Sequence, residues 1–468
     1  MTGLKLVWYG DDFTGATDTL ATAARAGLRS LLFLGIPTAQ QRAASGPLDC
    51  LGIAGASRSM APAAMHAELQ SVGRLFAALA PPVLHYKVCS TFDSSPTVGN
   101  IGAAIRALKP FVSNPLVAIV GGQPNLGRYC LFSHLFARAG SDGDVHRIDR
   151  HPTMRQHPVT PMGEADLRLH LSPQGLAALA AIAYPAYDDT AQALDQRVDQ
   201  LLQTAPDAVL FDVSRCTDLG TIGRQIWLRA RQQPLLAVGA SSVVQALAAH
   251  WADAARSPAE ADATGSSPAT PSTSSTPPVP RAPPAPLAPA RGPVLVLAGS
   301  LSPQTALQVR QARAFTSVAL DPHILLAEAA CDATAGTYGA EQAAMVTALL
   351  RAGKSVLVDT SGTAPAALTQ TPAKDFDPAA LASACGTWLN RLLQQCPVNR
   401  LGIAGGDTSS HAVQALGAWG LSYLQPICPG VALCRLHSDA PHLDGMELAL
   451  KGGQMGPPDY FELLRSGH

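Results

Sequence analysis

Short apolar runs that end on glycine, serine or a charged residue recur through the first half of the chain: LKLVWYG, SLLFLGI, DCLGIAG, VLHYKVC, LVAIVGG, AVLFDVS and LLAVGAS. Runs of this length and punctuation read as buried strands. Stretches with helical spacing separate several of them, at about Thr17–Ala26 (stopped by Gly27), Ala63–Leu79 and Ala191–Leu202. Strands alternating with helices predict right-handed βαβ units and a mostly parallel sheet. The pattern disappears from Arg256 to Pro293, where eleven of the 38 prolines fall in a Pro/Ala/Ser/Thr mixture that cannot bury a core. It returns in PVLVLAGS, SVLVDTS and RLGIAGGD. The expected fold is α/β with two domains, each a mostly parallel sheet flanked by helices. Residues 1–255 and 294–468 form the two units, and 256–293 a disordered linker.

At 468 residues two domains are the natural expectation. The net charge of −1 argues against a nucleic-acid partner. No apolar stretch reaches the roughly 20 residues of a membrane span, and Met1–Tyr9 runs straight into Asp11 and Asp12 without the features of a secretory signal. The expected location is the cytoplasm. Nine scattered cysteines without a C-x-x-C pair fit neither a disulfide framework nor a thiolate zinc site. Only Cys89 sits inside a motif.

In parallel α/β sheets ligands bind beyond the carboxyl ends of the strands. Several chemistries are absent there: no G-x-G, no G-x-S-x-G and no H-E-x-x-H occurs, and Gly353-Lys354-Ser355 leads into a strand rather than opening a helix, as a phosphate loop must. Gly10-Asp11-Asp12-Phe13-Thr14-Gly15-Ala16-Thr17-Asp18 reads as a loop with three carboxylates and two hydroxyls after the first strand. Paired acids there can bind polyol hydroxyls or act as a general base, or one can simply cap the next helix. Gly299-Ser300-Leu301-Ser302 and Gly405-Gly406-Asp407-Thr408-Ser409-Ser410 place hydroxyls after glycine at helix starts, which suits phosphate and equally ordinary capping. Lys451-Gly452-Gly453 is a further glycine turn carrying a cation. Arg58 and Lys87, the latter followed by Ser90 and Thr91, are cations at strand ends suited to an anionic, hydroxylated molecule, or surface residues. His146, His151 and His157 match no standard zinc spacing, and no metal ligands are assigned.

Taken in order, these motifs resemble the four-carbon acid sugar kinase family, whose members phosphorylate compounds such as threonate and 3-oxo-tetronates. GDDFTGATD resembles its DDxTGA signature, Arg58 falls at a family arginine, and Lys87–Asn100 is similar to its Lys-x-x-Ser-Thr…Gly-Asn segment. HPVTPMGEADL, GSLSPQT, GGDTS and LKGGQMG are similar to four further blocks. The match spans nearly all the chain except the linker. It implies an N-terminal substrate domain and a C-terminal ATP domain. Asp12 then becomes the expected base, with Asp11 its rival. Asp11, Asp12, Thr14, Arg58, Lys87, Ser90 and Thr91 are then expected to contact the sugar acid, Arg58 and Lys87 holding its carboxylate. Ser300, Ser302, Gly405, Gly406, Asp407, Thr408, Ser409 and Gly453 are expected to hold ATP, with Mg²⁺ as cofactor. KVCSTFDSSPTVGNIG departs from the commoner STLRGN by extra residues and a missing arginine, a pattern more similar to kinases of branched acids such as 3-oxo-isoapionate. GGQMG also lacks the family's usual Ser and Asn. A dehydrogenase or isomerase, or a non-catalytic sensor binding ATP and sugar acid, are the rival readings. A homodimer is left open.

The linker yields a first prediction. Its 38 residues could span on the order of 100 Å when extended, far beyond what a junction needs. Removing ten central residues should leave turnover unchanged; a steep fall with both halves still folded would contradict a passive tether.

Overall fold

The computed structural model describes residues 3–140, 143–157, 159–256, 287–300, 302–330, 337–360 and 378–467. The greater part of the expected linker, 257–286, lies outside the described residues. Its last stretch is packed: Leu287 is buried, Ala288 O accepts from Arg400 Nη2 at 3.1 Å, and Ala290 N donates to Arg465 O at 2.9 Å.

Eleven strands belong to the first half: β1 (Leu6–Gly10), β2 (Ser30–Phe33), β3 (Cys50–Ala54), β4 (Val83–Lys87), β5 (Val117–Gly121), β6 (Arg128–Leu131), β7 (His134–Arg138), β8 (Val145–Arg147), β9 (Leu179–Ile182), β10 (Ala208–Asp212) and β11 (Leu235–Gly239). The second half contributes β12 (Val294–Ala298), β13 (Phe315–Ala319), β14 (Ser355–Asp359), β15 (Arg400–Ala404), β16 (Gly420–Cys428), β17 (Val431–His437) and β18 (Glu447–Lys451). The two expected sheets are present, and they are joined edge to edge. One 15-stranded sheet runs β13-β14-β12-β15-β18-β17-β16-β2-β3-β1-β4-β11-β5-β10-β9. Its seam is the short antiparallel pairing of Gly420 and Leu421 with Phe33 and Leu32. Beside it Trp419 stacks between Phe33 (6.2 Å) and His437 (5.3 Å).

Alternating side chains feed two layers. Leu6 and Trp8 enter one apolar cluster with Phe13, Ala16 and Leu20 of the helix Phe13–Arg25. Val7 and Tyr9 enter the opposite one with Met65, Leu69 and Phe76 of the helix Pro62–Leu79. Helices therefore cover both faces, as parallel strands require.

Register decides what meets at the carboxyl edge. Gly10 aligns with Ala54 and with Lys87. In the second half Ala298 aligns with Asp359 and Ala404, and Ala404 with Lys451. The residues that follow each strand are thereby neighbours in space.

The hairpin β6–β7 was not legible in the sequence. Its turn residues Phe132 and Ser133 have φ of 49° and 69°, where Asn-Gly is the usual signal. The buried carboxylate of Asp212 stabilises this unusual turn by accepting from Phe132 N (2.6 Å) and Ser133 N (3.0 Å), and it also takes Tyr184 N at 3.3 Å. Asp212→Ala should strand these buried donors and cost about 1–3 kcal/mol. Urea unfolding would register the loss, with fast amide exchange at 132 and 133; an unchanged midpoint would refute the tether.

Candidate active site

The helix expected from about Thr17 begins at Phe13, so most of the acidic loop is the helix's first turn. Asp12 is its N-cap, accepting from Gly15 N at 3.0 Å. It is also much more than a cap. Asp12 Oδ1 lies 3.1 Å from Lys87 Nζ and 3.0 Å from Arg58 Nη2. Asp11 Oδ1 lies 3.5 Å from Lys87 Nζ and 3.2 Å from the same Arg58 nitrogen. Two carboxylates and two cations thus form a buried, charge-balanced quartet at the ends of β1, β3 and β4. Backbone bonds clamp it, from Asp11 N to Lys87 O (3.0 Å) and from Arg58 N to Asp11 O (3.1 Å).

Burial alone would raise both carboxylates. For Asp12 the attraction of Arg58 and Lys87, with hydrogen bonds from Thr14 and Lys87, outweighs burial and holds the acid well below the carboxylate range. For Asp11 burial wins and the shift is upward, despite the same cations. Gly15 is required here by space rather than by backbone angle: a Cβ at that position would fall on Lys87 Nζ.

Asp12 Oδ2 accepts from the Thr14 hydroxyl and faces the other half. A Cβ built on Gly406 would stand 3.9 Å from it, and one on Gly452 would stand 3.9 Å from Thr14 Oγ1. Phe13 N donates to Ser410 Oγ at 3.3 Å, which fixes the first turn of the helix Phe13–Arg25 against that of the helix Gly406–Ala415.

The second half builds a glycine cradle. Gly405 has φ of 133°, and a Cβ there would press on Thr408 Oγ1 at 2.8 Å and Ser300 N at 3.3 Å. Ser302 caps the helix Pro303–Gln311, accepting from Thr305 N at 3.1 Å. The Gly453 carbonyl accepts from Ser302 Oγ, Thr305 Oγ1 (2.9 Å) and Lys451 Nζ (3.3 Å). Two helix N-termini and exposed loop backbone therefore converge, an arrangement suited to phosphate.

A cavity of about 610 Å³ joins the two halves. Of the expected residues, Asp12, Thr14, Arg58, Lys87, Ser90 and Thr91 line it on one side. Ser300, Ser302, Gly405, Gly406, Thr408 and Gly453 line it on the other. Asp11 stands behind Asp12, and Ser409 is fully buried without reaching the lining. The side chain of Asp407 lies outside the described residues. His151 is buried, its Nδ1 accepting from Thr153 N and Met154 N at 3.2 Å and its ring edge-on to His146 at 6.0 Å, whereas His157 lines the cavity. Among the described residues no cluster of His, Cys, Asp or Glu could hold a metal by itself.

Sequence reasoning missed Arg128 and Gln123, which line the cavity on or beside elements with no motif of their own; Asp18 and Asp93 line it too, inside the sequence motifs but without an assigned contact. It also undervalued Lys451, which is fully buried and bonded to Thr305 Oγ1 and Gly452 O at 3.0 Å each.

Fold and cavity together define a chain of two α/β halves that share one cleft. Residues 6–247 match the family model of a sugar-binding N-terminal domain, and 295–461 that of a nucleotide-binding C-terminal domain. The chain belongs to the four-carbon acid sugar kinase family. It is 37% identical to the 3-oxo-isoapionate kinase of Paraburkholderia graminis over 99% of this chain and 95% of that one. It is 31% identical to a 3-oxo-tetronate kinase of Methylobacterium radiotolerans over 98% of both. A crystal structure from Salmonella typhimurium LT2, 22% identical, shares the fold with a TM-score of 0.73 over 98% of both chains.

Lys451 supplies a pH prediction. Burial without a carboxylate partner lowers it from 10.5 to about 7. Between those values the unfolded chain carries a proton that the folded chain has released, so this residue's contribution to stability rises with pH. The stability difference between wild type and Lys451→Met, from urea midpoints at pH 7, 8 and 9, should grow in favour of wild type. A difference flat with pH would sink this assignment.

Proposed function

We propose that this chain is an ATP-dependent kinase that phosphorylates a hydroxyl of a small sugar acid, with 3-oxo-isoapionate the first acid to test. The similarity to 3-oxo-isoapionate kinase and to 3-oxo-tetronate kinases supports this class of substrate. The observation that carries the reading is the placement of the Asp12 carboxylate beside the glycine cradle of the other half, with Gly406 across from Asp12 Oδ2. One cavity then holds a proton acceptor and a phosphate cradle face to face.

In this reading ATP lies in the second half. Its phosphates rest on the N-termini of the helices Gly406–Ala415 and Pro303–Gln311, with Ser300, Thr408 and Gly453 around them. Asp321, Leu381 and Cys385 border the end of the cavity available to the base. Magnesium fits this arrangement in its usual mode, held chiefly by phosphate oxygens and water, and when bound it neutralises charge on the transferring group. Asp407, which follows Gly406, belongs to the same proposed loop. The sugar acid lies in the first half, near Arg58, Lys87, Ser90 and Thr91. Asp12 Oδ2 takes the hydroxyl proton as the oxygen attacks in line, and Thr14 fixes the orientation of that carboxylate. The depressed pKa of Asp12 keeps it ionised at any working pH. Little basicity is demanded of it, since positioning and charge neutralisation dominate phosphoryl transfer. Enclosure between the halves excludes water, the competing acceptor. Cytoplasmic residence, where ATP is made, goes with this reading.

Screening four-carbon and branched sugar acids for stoichiometric ADP release tests the proposal; release with none of them would defeat it. Asp12→Asn isolates the base, because asparagine caps a helix as well as aspartate does and Asp11 still spans both cations. Turnover per folded molecule should fall by about 10²–10⁴-fold, with ATP affinity nearly unchanged; the melting temperature should fall too, because one buried cation loses its counter-charge. Normal turnover in a less stable variant would move the base to Asp11 or Asp18.

A further inference from the structure

Three cations line the cavity on the side of the first half: Arg58, Lys87 and Arg128. The first two are bound to Asp11 and Asp12, two positive charges against two negative. An incoming carboxylate meets no net charge at that quartet, and it approaches Asp12 besides. Arg128 differs. Among the described residues it forms no ion pair. Its Nη1 donates to Leu126 O, and its Nε is buried with no partner.

The mount of Arg128 is rigid. Gln123 N donates to Arg128 O at 2.8 Å and Arg128 N to Gln123 O at 3.2 Å, closing a bridge at the start of β6. The far end of the hairpin is held by Asp212. Gln123 Nε2 in turn donates at 3.1 Å to Asp18, whose carboxylate also accepts from Ser241. Asp18 lies one helical turn beyond Thr14, so this group borders the position where the reacting hydroxyl would sit. Burial lowers the pKa of Arg128, against the smaller opposing pull of Cys89 and Asp18, and neighbouring Arg138 adds to the lowering. A guanidinium with unused donors in a fixed geometry matches a carboxylate fork.

The geometry points to Arg128 as the residue that recognises the carboxylate of the acid substrate, with the Arg58–Lys87 pair serving to hold Asp11 and Asp12. This rests on the sugar-acid reading above and names the group that makes the enzyme acid-selective. No motif assigned Arg128 this role, and it replaces Arg58 and Lys87 as the carboxylate's partner.

The test compares threonate with its neutral amide on the full chain, by calorimetric binding and by ADP release. Wild type should prefer the acid. Arg128→Gln should weaken acid binding on the order of 10- to 100-fold, leave amide binding and the KM for ATP unchanged, and so erase the preference. Arg128→Lys, which keeps the charge but loses the fork, should fall between, and it carries the test if the glutamine variant does not fold. Unchanged acid preference in both variants, or a wild type that binds acid and amide alike, overturns the assignment. So does a variant that loses ATP affinity while acid binding is retained. An intact acid preference that depends on Arg128, without ADP release, would uphold this inference and count against the kinase reading alone.

Discussion

The rest of the site depends on one buried electrostatic compromise. Asp11 and Asp12 stand side by side at the end of β1, where two carboxylates out of water would repel each other and resist ionisation. Arg58 from beyond β3 and Lys87 from the end of β4 bridge both of them within 3.5 Å. Removing either partner of such a group leaves an uncompensated buried charge, so the quartet exists only whole. Its members come from three adjacent strands, and parallel register is what brings them level.

Glycine makes the matching half possible. Positions 405, 406, 452 and 453 bring backbone to within contact distance of Ser300, Thr408, Asp12 and Thr14, and side chains there would fill the space between the halves. Gly15 does the same inside the quartet by leaving room for the Lys87 ammonium. The quartet of the first half is crowded and charge-balanced, and the glycine half presents loop backbone. In the proposed function they complement each other as a fixed base and a receptacle for a mobile, highly charged cosubstrate. The seam β16–β2 and the contact of Phe13 with Ser410 set their mutual placement.

Charge bookkeeping divides the cations of the first half by purpose. Arg58 and Lys87 are paired with Asp11 and Asp12. Arg128, on an antiparallel hairpin added to the parallel core, is left with donors to offer. A binding cation and a structural cation of the same residue type can therefore be told apart only by what already occupies them.

Much was legible from the chain itself. Apolar runs ending in glycine located the strands, because parallel strands are buried on both faces and need no polar alternation. The motifs around Asp12, Lys87, Ser300, Gly405 and Gly453 pointed to loops that line the cavity, because close backbone approach and helix starts demand particular small residues. Tertiary structure alone decided the remainder. The early start of the helix at Phe13 came with Asp12 as its cap, where the sequence offered capping and chemistry as equal alternatives for the acids and placed the helix from about Thr17. Phe132-Ser133 carries no turn signal, since the remote Asp212 stabilises it. The state of Arg58, Lys87, Lys451 and Arg128 was equally hidden, because the pairing of a charge depends on which distant carboxylate folding places within reach. Residue type announces that a charge exists; only the packed chain determines whether it is satisfied.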